Sequence, residues 1–191
     1  MTFGIFRLHV LFFARLQRLL ASWLPGLATR AIFASVLLLY FLNSAMTKVG
    51  AGVEGLIHPS VGAYAQILPG MMEQVGYNIS RIPFFPYGLI VVAGMWAEFL
   101  LPVLIVLGLF IRLASFGFTV FICVMTYVDL TGHHVGAVAI GAFFDRAPDA
   151  PIADQRLLWL FPLIYLTIYR AGAFSIDRVL ARRFIERMQP W

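Results

Sequence analysis

A single carboxylate lies near the middle of a long apolar stretch of this sequence. Between Tyr87 and Ile111 only Glu98 is charged, and about 20 apolar residues suffice for a helix to cross the hydrocarbon core of a bilayer. An ionisable group at that depth costs about 3 kcal/mol or more and is by default a candidate functional group. Pro102 removes the N–H that would bond the Glu98 carbonyl. Two interpretations stay open: Glu98 handles protons or a ligand, or it only joins helices.

A second group of polar side chains occupies one half of an earlier apolar stretch, residues 31–50. Asn43 and Thr47 form one row along the predicted helix, and Ser44 and Lys48 form the adjacent row, because residues four apart share a helix face. Interhelical hydrogen bonding and an end-of-helix lysine are the structural interpretations of this group. Neither explains why the polar residues are confined to one half.

Depth within the bilayer predicts which of these side chains meet. At about 1.5 Å per residue, Asn43 and Glu98 lie near the midplane, whereas Lys48 and Asp129 both lie about 10 Å outward. The sequence therefore predicts a contact between Asn43 and Glu98 and an ion pair between Lys48 and Asp129. Glu98 is expected to be ionised only if Lys48 bends inward to pair with it.

Further polar residues are predicted at or above the depth of Asp129. Tyr127, His133 and His134 complete a polar pocket that is predicted to open toward the periplasm and to close toward the cytoplasm. The two histidines are the only candidate metal ligands, but neighbouring residues do not share a helix face. No metal site is therefore predicted, with His133 and His134 kept as weak candidates, and the sequence does not identify catalytic residues.

Composition places the chain in a membrane. It is 61% hydrophobic and 12% charged, with a mean hydropathy of +0.88, whereas soluble domains have about 25% charged residues. The one cysteine, Cys123, excludes an internal disulfide and a CxxC redox pair. The net charge of +5 is attributed to basic residues at the cytoplasmic membrane surface rather than to nucleic-acid binding.

The apolar pattern predicts an all-α fold, a four-helix bundle in the membrane with amphipathic interfacial helices at both termini. The spans are predicted at about 31–50, 87–111, 113–130 and 157–173, inside a bundle unit of residues 27–174. Residues 1–26, ended by Pro25-Gly26, and residues 175–191 are the amphipathic helices. The outer segment 51–86 is predicted to cover the bundle mouth, with a short helix capped by Ser60. Arg112 is predicted to mark a very short turn between the second and third spans.

The distribution of basic residues predicts the orientation. With both termini in the cytoplasm, ten of the 14 Lys and Arg residues face the cytoplasm, and this bias sets topology in bacterial membranes. The four that face outward are Lys48, Arg81, Arg146 and Arg156. The chain is therefore predicted to be a multi-pass protein of the bacterial inner membrane.

Four stretches resemble the DoxX family of small four-helix bacterial membrane proteins. They are SAMTKVG at 44–50, AEFLLPVLIVLGLFIRLAS at 97–115, GHHVGA at 132–137 and LLWLFPLIYLTIYRAGAFSIDRVL at 157–180. The most specific element is the E-x-x-x-P-x-x-x-x-x-G-x-x-x-R spacing from Glu98 to Arg112. In this spacing Pro102 and Arg112 are taken as structural residues.

The resemblance implies a fold and a redox neighbourhood, because the family is named for subunits associated with a membrane-bound thiosulfate:quinone oxidoreductase. One hypothesis is an accessory subunit that binds a quinone or another small redox ligand; the alternative is a non-catalytic anchor, assembly factor or chaperone. A small-solute carrier is a third hypothesis, which four spans without a repeat make weaker for a monomer. No cofactor is firmly implied. The expected partners are the lipid bilayer and other membrane or periplasmic subunits, and further copies of this chain stay open.

Overall fold

All regular secondary structure in the described part of the chain is helical, and this part contains no strand. The computed structural model describes residues 2–169, 171–172 and 174–188. Among these residues, three helices are long and apolar enough to cross a membrane: Leu24–Lys48, Phe84–Leu107 and Ile111–Thr131. The prediction of an all-α fold is thereby confirmed, and three helices able to span a membrane support the prediction of a membrane protein.

The first long helix begins earlier than its apolar pattern predicts. Helix α1 (Thr2–Leu20) is followed by a turn. After the turn, α2 (Leu24–Phe33), a π-helical segment and α3 (Leu39–Lys48) form one continuous helix. The prediction that Pro25-Gly26 ends the N-terminal helix is wrong. Both residues lie in the first turn of α2, where proline is tolerated because its missing N–H has no intrahelical partner there.

A small cap covers one end of the long helices. It contains α4 (Val61–Ile67) and α5 (Pro69–Gln74). The Ser60 hydroxyl accepts a hydrogen bond from the Ala63 N–H at 3.2 Å, which confirms the predicted N-cap. Buried side chains of the cap pack on α6 (Leu89–Leu107) in one apolar cluster that contains Ala63, Tyr64, Met72, Ile82 and Val91.

Helices α6 and α7 (Ile111–Thr131) form a hairpin. Gly108 ends α6 in the left-handed conformation, φ 66°, which glycine adopts without a steric penalty. The turn therefore occupies residues 108–110. The predicted very short turn and helical hairpin are confirmed, but Arg112 does not lie in the turn, since it is the second residue of α7.

The remaining helices are α8 (Ala137–Ile140), α9 (Arg156–Tyr169), which continues a π-helical turn, and α10 (Ile176–Met188). Helix α9 packs along α7 and against α2. Its buried residues share one core with α2, α3 and α7, which includes Phe33, Phe41, Phe118, Leu163 and Leu166. The predicted fourth span ends at Ala173, and the count of cytoplasmic basic residues includes Arg170. Both residues lie outside the part of the chain that the structure describes. The side chains beyond Arg182 also lie outside it.

Candidate functional site

A cavity of about 430 Å³ lies among the helices beneath the cap. Helices α3, α6, α7 and α9 line it, and α4 covers one end through Gln66 and Ile67. Small residues leave the space open: α6 contributes Gly94 and Ala97, and α7 contributes Gly117. The walls are mostly apolar, and the charged side chains that line the cavity form two ion pairs.

The first ion pair joins α3 to α6. Lys48 Nζ lies 2.7 Å from Glu98 Oε2 and donates a second hydrogen bond to Ser44 Oγ at 2.9 Å. Lys48 is 2% exposed and Glu98 is 4% exposed, so both charges are removed from solvent. The attraction between two buried charges offsets the cost of their desolvation only when their geometry is this close.

This pairing corrects the predicted partner of Lys48. The predicted ion pair between Lys48 and Asp129 is wrong, whereas Lys48 does bend inward to Glu98. The reason is the length of the lysine stem, which lets the ammonium reach along α3 toward Ser44, one turn away, rather than stay at the depth of its own backbone.

The second ion pair joins α7 to α9. Arg156 Nη2 donates to Asp129 Oδ2. Arg156 is 8% exposed, and its Nε and Nη1 atoms are buried without a hydrogen-bond partner. The sequence analysis did not predict Arg156 as a site residue, because it considered Arg156 only as one of the four basic residues that face outward. Its place at the start of an apolar helix, at the predicted depth of Asp129, is the signal that could have found it.

Asn43 does not contact Glu98, and that prediction is wrong. Its side chain is exposed on α3 and does not line the cavity. Successive helix residues are about 100° apart, so the rotation of α3 that turns Ser44 and Lys48 inward turns Asn43 outward.

The predicted residues near the end of α7 are only partly brought together. Asp129 lines the cavity, whereas Tyr127, 66% exposed, and His134 do not. His133 Nε2 lies 3.0 Å from the Gln66 carbonyl oxygen and so links the end of α7 to the cap. Among the described residues, no three His, Cys, Asp or Glu side chains form a group that could hold a metal ion.

The two predicted structural residues lie outside the cavity. Pro102 is buried inside α6, one turn from Glu98. Arg112 Nε donates to the Thr167 carbonyl at 2.8 Å and ties α7 to α9. Both placements fit a scaffolding role.

A third buried cation lies at the other end of the helices, and no local sequence pattern distinguishes it from other basic residues. Arg30 on α2 is 8% exposed. It donates hydrogen bonds to the last turn of α6 and to the segment after α9, an arrangement here called the Arg30 cluster, with the carbonyl oxygens of Ile105, Val106, Ala171 and Phe174 as acceptors. Next to it, the Asp177 carboxylate accepts from the Phe110 and Ile111 N–H groups and caps α7.

Comparisons with protein-family models, with curated proteins and with solved structures found no match. The chemistry available to the molecule is therefore inferred from the cavity and its two ion pairs. A lysine–glutamate pair shielded from bulk water can hold a proton or pass one to a neighbouring group. The apolar walls suit a ligand that is itself largely apolar.

Proposed function

We propose that this chain is an accessory subunit of a membrane redox system and that it binds a quinone or another small redox ligand in the cavity. The single observation that carries the proposal is the cavity itself. Its volume of about 430 Å³ falls within the range of about 300–1,000 Å³ for small-molecule sites, and a few polar groups converge on apolar walls. The resemblance to the DoxX family supports the redox setting.

The proposed roles follow from the geometry. The Lys48–Glu98 pair exchanges protons with the bound ligand, which lies against the apolar walls. The sequence contains no Gly-rich phosphate-binding loop and no cysteine pair, and so a partner protein supplies or accepts the electrons. Catalysis by this chain alone is not part of the proposal.

The alternative function is a non-catalytic anchor, assembly factor or chaperone for a membrane or periplasmic complex. One observation favours it: α1 exposes large apolar side chains along most of its length, among them Ile5, Phe6, Leu8, Leu11 and Phe12. In this function α1 binds the bilayer surface or a partner, and the buried ion pairs only fix the packing of the helices.

Purification in mild detergent distinguishes the two functions. For the redox subunit we expect a quinone to co-purify with the chain and with at least one oxidoreductase subunit. Partner chains without any quinone would support the anchor, and complete absence of both would contradict the redox proposal. Extraction with organic solvent followed by mass spectrometry measures both classes of molecule in one preparation.

We further propose that the chain crosses the inner membrane four times, with α9 as the fourth span and α1 and α10 at the cytoplasmic interface. The ten-to-four distribution of basic residues supports this orientation. Reporter fusions after residues 55 and 150 should give periplasmic signals, and fusions at both termini should give cytoplasmic signals. A cytoplasmic signal after residue 55 would contradict the orientation.

A further inference from the structure

Two ion pairs line the cavity, and one of their members, Arg156, has buried N–H donors without an acceptor among the described residues. Lys48 is paired with Glu98, and Arg156 is paired with Asp129. Lys48 Nζ also bonds Ser44, whereas Arg156 Nε and Nη1 have no acceptor. Buried donors without a partner are unfavourable. A molecule that brings an acceptor oxygen to Arg156 therefore stabilises the site without disturbing its charge balance.

The lining residues also indicate how a ligand reaches the cavity. Three large apolar residues that line the cavity on α6 and α7 reach the outer surface: Ile90 is 47% exposed, Val120 46% and Val124 55%. Tyr40 on α3 and Gln66 on α4 also line the cavity and are exposed. The capped end is covered by Gln66 and Ile67 of α4. If α6 and α7 cross the membrane, the flank between them faces hydrocarbon.

We propose that the ligand is an uncharged molecule dissolved in the bilayer, that it enters between α6 and α7, and that it accepts a hydrogen bond from Arg156 through a carbonyl-type oxygen. This inference rests on the proposed function, because it specifies the ligand of the same cavity. An anionic ligand would compete with Asp129 for the guanidinium, and a pure hydrocarbon would leave the two buried donors unsatisfied.

Binding of three probes to the detergent-solubilised chain tests the ligand class. The probes are decylubiquinone, which is uncharged and carries carbonyl oxygens, dodecylbenzene, which has no acceptor, and dodecanoate, which is anionic. Ligand-induced shifts in melting temperature and quenching of tryptophan fluorescence report binding. We expect saturable binding of decylubiquinone, at least tenfold tighter than that of the other two probes.

The double variant Arg156→Met/Asp129→Asn tests the role of Arg156. It removes both charges together, so that no buried charge is left without its partner. Loss of a hydrogen bond from a charged donor weakens binding by roughly tenfold to a hundredfold. We expect a loss of that size for decylubiquinone and a change of less than twofold for the exposed control Arg146→Met.

The entry route has its own matched pair of variants. Val124→Trp places a bulky ring at the α7 edge of the cavity, and we expect it to slow decylubiquinone association at least fivefold. Val103→Trp changes an exposed α6 residue that does not line the cavity and should leave the rate unchanged.

The possible failures of the two proposals are distinguishable. Equal decylubiquinone affinity in the wild-type chain and the Arg156→Met/Asp129→Asn variant, or tighter binding of dodecanoate, would overturn the assigned ligand class while leaving ligand binding by the cavity intact. Equal association rates for Val124→Trp and the wild type would overturn the entry route. Saturable binding of none of the probes would overturn this inference, whereas the proposed function is decided by the co-purification experiment.

Discussion

Replacing Lys48 with methionine is expected to lower the free energy of unfolding by about 3–5 kcal/mol, because it leaves the Glu98 carboxylate buried without its cation. The two groups lie 2.7 Å apart and are almost fully removed from solvent. Glu98→Leu should cost a similar amount, since it leaves the ammonium of Lys48 unpaired. Denaturant unfolding in detergent, followed by circular dichroism, measures each loss.

The double variant Lys48→Met/Glu98→Leu shows whether the two residues act on each other. Removal of both charges should cost much less than the sum of the single changes, because no unpaired buried charge remains. Ser115→Ala is a matched control on α7: its hydroxyl is buried without a partner, so we expect no loss of stability. Strict additivity of the two single changes would contradict the pairing.

Arg30→Met is expected to cost about 3 kcal/mol or more, because one guanidinium bonds carbonyl oxygens from two separate segments. In the Arg30 cluster these acceptors belong to the last turn of α6 and to the segment after α9. Hydrogen bonds from charged donors contribute about 1.5–3 kcal/mol each. The melting temperature in detergent should fall accordingly.

Two variants control this prediction. Arg30→Lys should recover only part of the stability, since an ammonium lacks the planar fork that reaches both segments. Arg18 is exposed, and its guanidinium bonds Ala14 within α1, so Arg18→Met should change stability by less than about 0.5 kcal/mol. Melting of Arg30→Met at the wild-type temperature would show that the Arg30 cluster does not hold the helices together.

The long helices could be predicted because length and apolar content are properties of the sequence alone. Ser60 was likewise predictable as an N-cap, because its partner lies three residues away. The boundary between α1 and α2 near Pro25 could not be predicted, because a proline can follow the end of one helix or occupy the first turn of the next. Local signals thus identify the elements and leave an uncertainty of several residues at their ends.

The sequence was sufficient to predict several residues of the candidate site, but not which of them form ion pairs with each other. Glu98 and Lys48 could be found because a charge within an apolar stretch is rare. Their pairing could not, because it depends on the rotation of α3 and on the direction in which a long side chain bends. Arg156 and Arg30 acquire their roles only from the packing of α9 and α2 against other helices, which no local pattern records.

The amount of quinone bound per chain after purification, in the wild type and in Gly117→Leu, tests the central claim most directly. Gly117 lines the cavity, and a Cβ there would meet only Leu101 at an ordinary distance of 3.7 Å. Leucine therefore fills the cavity, and it favours the helix over glycine by roughly 1 kcal/mol. We predict close to one quinone per wild-type chain and at least a tenfold lower ratio in the folded variant. An equal ratio in both proteins, or no quinone in the wild type, would contradict the assignment of this cavity as the ligand site.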